Sequence, residues 1–234
     1  MKNFSNTYIF VFALVMVLIV AMLLSLASIS LKPLQDKNIE VEKKQNILAS
    51  VRVQSTPENA VDLYSKFITE SYVLNTKGEK QEGIDAFTVD IKSELARPAD
   101  QRALPVFIGT LEDGSNAYVV PVRGTGLWGP IWGYVSFKPD MNTIYGAVFE
   151  HQGETPGLGA EISTDWFEEP FRGKQIFRDS AEFVSVKVLK GGAPEGDLHA
   201  VDAISGGTIT SKALEAMLDS CLVQYQRFFI QNRK

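Results

Sequence analysis

Between Tyr8 and Leu31 the chain carries no charged side chain, and Ile9-Phe-Val-Phe-Ala-Leu-Val-Met-Val-Leu-Ile-Val-Ala-Met-Leu-Leu24 is almost purely apolar. In water such a helix has no hydrated face. It is long enough to cross a hydrocarbon core of about 30 Å. The alternative is a cleaved signal peptide, whose apolar region usually runs only about 7–15 residues. Ser25-Leu-Ala27 offers small residues for cleavage, but the length of the run favours an uncleaved anchor over 1–31. Lys2 precedes the span, and Lys32, Lys37, Lys43 and Lys44 follow it among Asp36, Glu40 and Glu42. A bare count of lysines would keep the large domain inside. Large domains cross despite such charge, so the charge pattern leaves orientation open.

The remainder is long enough for one sizeable domain in a chain of 234 residues. A net charge of -5 argues against a nucleic-acid partner. Cys221 is the sole cysteine, so neither an internal disulfide nor an iron–sulfur cluster can be built from this chain alone. His151 and His199 show no zinc-ligand spacing, and no metal site is expected.

Residues 32–56 are polar and charge-rich, with scattered Ile39, Val41, Ile47, Leu48 and Val51, and read as a juxtamembrane linker, partly helical. A domain over 57–234 follows. Val61, Tyr64, Phe67 and Ile68 recur at helical spacing behind Pro57, which suits a first helical position. Segments 117–122, 131–137 and 143–149 are rich in β-branched and aromatic residues, and Lys138 to Asn142 is a hairpin connection. Phe183 to Leu189 alternates as one strand, and a helical turn is expected near Thr164 to Glu168. Leu214, Met217, Leu218, Cys221, Leu222, Tyr225, Phe228 and Phe229 mark a closing helix, with Cys221 as a small core hydrophobe. A capping box is absent, because Ser211 stands four residues before Glu215; Thr210 or Ser211 is the expected N-cap. The fold class is α+β: one transmembrane helix, a linker and one domain ending in a helix.

Chemistry concentrates in three glycine-bearing stretches. Asp202-Ala-Ile-Ser-Gly-Gly-Thr-Ile-Thr210 sets Thr208 just before a helix start. Unpaired N–H groups and the helix dipole favour an anion there, and Lys212 would add positive charge. Gly206 and Gly207 would let backbone approach a bulky group. His151-Gln-Gly-Glu-Thr-Pro-Gly-Leu-Gly-Ala-Glu161 and Gly124-Thr-Gly-Leu-Trp-Gly-Pro-Ile-Trp132 are the other two. With Trp128 and Trp132 as flat apolar surfaces and Glu154 and Thr155 as polar groups, they suit a planar heteroaromatic ring. Taken singly, each is an ordinary turn beside a core side chain.

In this order behind one membrane span, G-x-G-L-W-G-P, E-T-P-G-L-G and D-x-x-S-G-x-T resemble the C subunits of sodium-translocating NADH:quinone oxidoreductases. The G subunits of the ferredoxin-linked Rnf complexes are close relatives. The resemblance covers nearly the whole chain. It implies an electron carrier with FMN joined to Thr208 by a phosphoester. Asp202, Ser205 and Gly206 match the attachment motif; Gly207 stands where the family has alanine. Gly126, Leu127, Trp128, Glu154, Thr155, Gly157, Leu158 and Gly159 match loops around the flavin. The resemblance further implies maturation by a flavin transferase using FAD and magnesium. It implies neighbouring subunits holding the NADH, iron–sulfur and quinone sites, and a domain on the outer side of the bacterial inner membrane. Two readings compete with it: an Rnf-type subunit, and a membrane-anchored binding module without redox function.

Overall fold

A computed structural model describes residues 5–111, 114–179 and 182–233; Lys2, which bears on orientation, lies outside them. The chain divides into two compact units, Met1–Lys43 and Lys44–Lys234. In the first, the described residues from Asn6 onward are helical. Helix α1 runs Asn6–Ser50 and is long and apolar enough to cross a membrane by length and composition. Pro33 lies inside it, and proline cannot donate the usual bond to the preceding turn. The segment read as a linker is therefore helical as far as Ser50. The reason lies in the second unit: Ile47, Leu48 and Val51 are fully or almost fully buried there.

The second unit is built on a six-stranded antiparallel sheet in the order β2-β1-β3-β4-β5-β6. Its strands are β1 Ile68–Leu74, β2 Lys80–Gln81, β3 Leu104–Thr110, β4 Asn116–Thr125, β5 Pro130–Phe137 and β6 Ile144–His151. Side chains alternate between its faces. Val106, Val120 and Val122 enter a large core, while Phe107, Ala117 and Val119 enter a smaller one with Ile47 and Val51. Helix α2, Ala60–Phe67, starts three residues later than Pro57 suggested. Helices α3, Ile91–Leu95, and α4, Asp165–Glu168, are short; α4 is the expected turn.

Over the large core lie α5, Thr208–Leu222, and α6, Gln226–Asn232. A tighter 3-10 turn, Val223–Tyr225, divides the expected single helix. Cys221 is core, as expected; its thiol donates to the Arg123 carbonyl at 3.4 Å and burial pushes it up.

The expected strand 183–189 is broken. After β7, Phe177–Arg178, the chain forms β8, Glu182–Phe183, and only later β9, Lys187–Leu189. Ser185 between them has φ 57°, a left-handed conformation that no strand sustains. Strand β9 pairs in parallel with β10, Ala200–Asp202, which leads toward α5.

Candidate functional site

Two of the three glycine stretches are turns of one design. The Leu158 N–H donates to the Thr155 carbonyl at 3.1 Å, with Gly157 at φ 74°. The Gly207 N–H donates to the Ile204 carbonyl at 3.1 Å, with Gly206 at φ 77°. Each places a glycine at the third turn position, where positive φ is required. Thr155-Pro156 adds proline at the second position, where its fixed φ fits.

The turns meet through Glu154, which is buried. Its Oε1 accepts the Trp128 N–H at 2.8 Å and its Oε2 accepts the Thr210 hydroxyl at 2.5 Å. One carboxylate thus links the β4–β5 loop, the loop after β6 and the first turn of α5. Gly126 and Gly159 make room for this contact. A Cβ on Gly126 would lie 2.5 Å from Glu154 Oε1, and one on Gly159 would collide with Glu154 Oε2. On Gly206 it would meet Leu158 Cδ2 at 2.6 Å, and on Gly207 Ile204 Cγ2 at 2.9 Å. Gly157 has open space beside it.

Thr208 is the first residue of α5 and is half-buried. Among the described residues no side chain caps the helix at Gly207, so the first-turn N–H groups keep their capacity to bind an anion. The expected caps act elsewhere. Thr210 serves Glu154, and the Ser211 hydroxyl accepts the Ile204 N–H at 3.1 Å, which fixes the preceding turn. Both sit inside the helix because it starts at Thr208, three residues earlier than an N-cap at Thr210 would set it. Leu127, Trp128, Leu158 and Ile209 expose large apolar surfaces on these same loops and this turn, Trp128 at 69%. Sequence reasoning misses Ile209; its place off the buried stripe of α5 is the available signal.

The other expected residues are placed as follows. Asp202 Oδ1 accepts the Ala193 N–H at 2.7 Å and so holds the turn after β9. Ser205 and Thr155 are exposed. Lys212 is paired with Glu215 at 3.1 Å. Trp132 is half-buried on β5, with the Arg123 guanidinium 5.9 Å from its ring centre. Trp166, which no motif marks, is exposed and donates its indole N–H to Glu161 at 3.2 Å. The other Glu161 oxygen accepts the Gly157 N–H at 3.0 Å.

A separate cleft of about 310 Å³ is lined by Arg52, Gly146, Ala147, Glu168, Glu169 and Arg172, among others. Glu168 Oε1 accepts the Phe149 N–H at 2.7 Å. Burial pushes its carboxyl up to about 8, against that hydrogen bond and with help from the charges of Glu150 and Asp165.

Residues 126–223 match the FMN-binding domain family. That span contains the second and third loops in full, most of the first, and α5. The chain is 33% identical over 213 residues to the C subunit of the sodium-translocating NADH-quinone reductase of Haemophilus ducreyi, covering 85% of this chain and 82% of that protein. The Neisseria meningitidis protein of the same description is 31% identical, with coverages of 91% and 87%. Among solved structures, that of the corresponding C subunit from Parabacteroides distasonis superposes with a TM-score of 0.78 at 46% identity, over 85% of this chain and 96% of that one. The Shewanella oneidensis NqrC structure gives 0.71 at 30% identity, with coverages of 82% and 96%. Likeness of this degree, over nearly the full length of those relatives, shows that the chain belongs to the NqrC family, the C subunits of the sodium-translocating NADH-quinone reductases.

Proposed function

We propose that this chain is the membrane-anchored FMN electron carrier of a sodium-translocating NADH-quinone reductase, and that Thr208 holds the flavin covalently. The other subunits of that complex are its partners. FMN, when bound, supplies reversible redox chemistry; the protein holds it and sets its surroundings.

The observation that carries the assignment is the contrast between two threonines two residues apart. Thr210 is buried and its hydroxyl is committed to Glu154. Thr208 is half-buried at an uncapped helix start. A phosphoryl group on Thr208 would sit where first-turn N–H groups and the helix dipole favour negative charge. Leu127, Trp128 and Leu158 offer apolar surface for the ring; Thr155, Ser205 and the open backbone at Gly157 offer polar contacts. Lys212, one turn into the helix, adds positive charge despite its pairing with Glu215. Asp202, Gly206, Gly207, Gly126 and Gly159 act by shaping the loops.

Attachment would be made by a flavin transferase, using FAD and magnesium. Thr208 would supply the hydroxyl oxygen that joins the FMN-side phosphorus of FAD, with AMP as the leaving group from the broken pyrophosphate bond and the hydroxyl proton released. Residues 1–31 would serve as the anchor and 57–234 as the flavin domain, held on the outer side of the inner membrane. A covalent link is useful there, because lost FMN is not replaced.

The test is the full-length chain produced with a flavin transferase, as wild type and as Thr208→Ala and Thr208→Ser. Covalent flavin is expected in wild type, absent in Thr208→Ala and retained in part in Thr208→Ser. Flavin that stays on denatured Thr208→Ala overturns the assignment.

A further inference from the structure

The resemblance would place Glu154 among the residues that touch the flavin. The geometry points to a different role: we propose that Glu154 is a positioning residue, which sets the Trp128 loop against the first turn of α5 so that Thr208 can be loaded. This rests on the assignment of Thr208 above. Both carboxylate oxygens are already used, one by the Trp128 N–H and one by the Thr210 hydroxyl. The side chain is 4% exposed, which leaves no surface for a ligand. Its own N–H donates to His151 Nδ1 at 3.3 Å, so the loop is held on both sides of the residue. Gly126 and Gly159 close on the carboxylate from two directions, each without room for a Cβ. Thr210 lies two residues after Thr208, inside the same helical turn. Any shift of the carboxylate therefore moves that turn and the apolar Leu127-Trp128 pair together.

Two substitutions separate geometry from general stability. Glutamine keeps an oxygen for Trp128 and an amide that can donate to the Thr210 oxygen; alanine keeps neither. In full-length Glu154→Ala, amide exchange should rise in peptides covering 124–132 and 204–212, and not across β3 or β4 up to Val122. Covalent flavin loading by the transferase should slow by up to about a hundredfold, the scale of an ångström-level misplacement. Glu154→Gln should restore both, and should move the midpoint potential of the loaded flavin upward, because a nearby negative charge is gone. Equal exchange and equal loading in Glu154→Ala would overturn the proposal. So would a Glu154→Gln variant that loads no better than Glu154→Ala. If Glu154→Ala does not fold, loading slowed in Glu154→Gln while amide exchange in both loops stays at the wild-type level would overturn it. A wild-type chain that never acquires flavin counts against Thr208 instead, and the exchange measurement then decides the clamp alone.

Discussion

Glu154 and Glu168 both carry carboxyl groups drawn out of solvent near β6, and they are held by different sets of donors. Glu154 receives two donors, one per oxygen, from two different loops. Glu168 receives one, from Phe149, while Glu150 and Asp165 stand near enough to oppose its charge. At Glu168 burial disfavours the charged form by more than its hydrogen bond from Phe149 favours it, so the carboxyl is pushed up. The first arrangement organises three loops at one site. The second leaves a titrating group in a cleft lined by Arg52 and Arg172.

The largest contrast between the two regions is in flavin retention. Thr208→Ala should lose covalent FMN entirely, whereas Glu168→Gln should load like wild type; in-gel fluorescence after denaturation reads both. A loss in Glu168→Gln would mean the regions are not separate in function.

Next comes pH. A carboxyl raised from its ordinary 4.5 to about 8 binds its proton more tightly folded than unfolded. Its contribution is fully present below the unfolded value and is lost as pH rises through the folded one. Stability of the wild type should therefore fall between about pH 4.5 and 8 relative to Glu168→Gln, by on the order of 2–4 kcal/mol after allowing for solvent screening. Denaturant midpoints of the two proteins across that window check it. Parallel curves would remove the contrast between the two glutamates.

Gly207→Ala returns the residue usual in the family but places a methyl 2.9 Å from Ile204 Cγ2 and 3.1 Å from the Leu158 carbonyl. Overpacking of this kind costs about 1–3 kcal/mol, visible as a lower unfolding midpoint. The smallest effect is expected at Arg52, which follows α1 with φ 66° and pairs with Glu169 at 2.7 Å. Arg52→Gly relieves a left-handed side chain, worth roughly 1 kcal/mol, and removes an exposed ion pair worth up to about 1 kcal/mol. The two nearly cancel, so the midpoint should hardly move.

Runs of β-branched and aromatic residues make β4, β5 and β6 legible, because a strand with a core on each face needs such residues throughout. The hairpin at Lys138 to Asn142 is legible from turn chemistry. The break at Ser185 is not, since a serine with positive φ carries no mark in the sequence. Nor is the end of α1, where Ile47, Leu48 and Val51 look scattered among charges until the sheet supplies a surface for them. The three glycine stretches are visible as a group, but their purpose is not. Sequence offers an external ligand as the natural reason for glycine; the structure adds an internal one, since Gly126 and Gly159 yield space to Glu154, and Gly206 and Gly207 yield it to Leu158 and Ile204. The N-cap misleads for a related reason: Thr210 and Ser211 are drawn inward by partners distant or hidden in sequence, and the helix begins at Thr208 with a bare end.

Whether Thr208 carries FMN is tested most directly by the intact mass of the protein purified from its native host, followed by peptide mapping. The expected result is an increase equal to FMN less one water, confined to the peptide containing Thr208. An unmodified mass in a host with an active flavin transferase, or the increase mapped to another residue, would contradict the assignment.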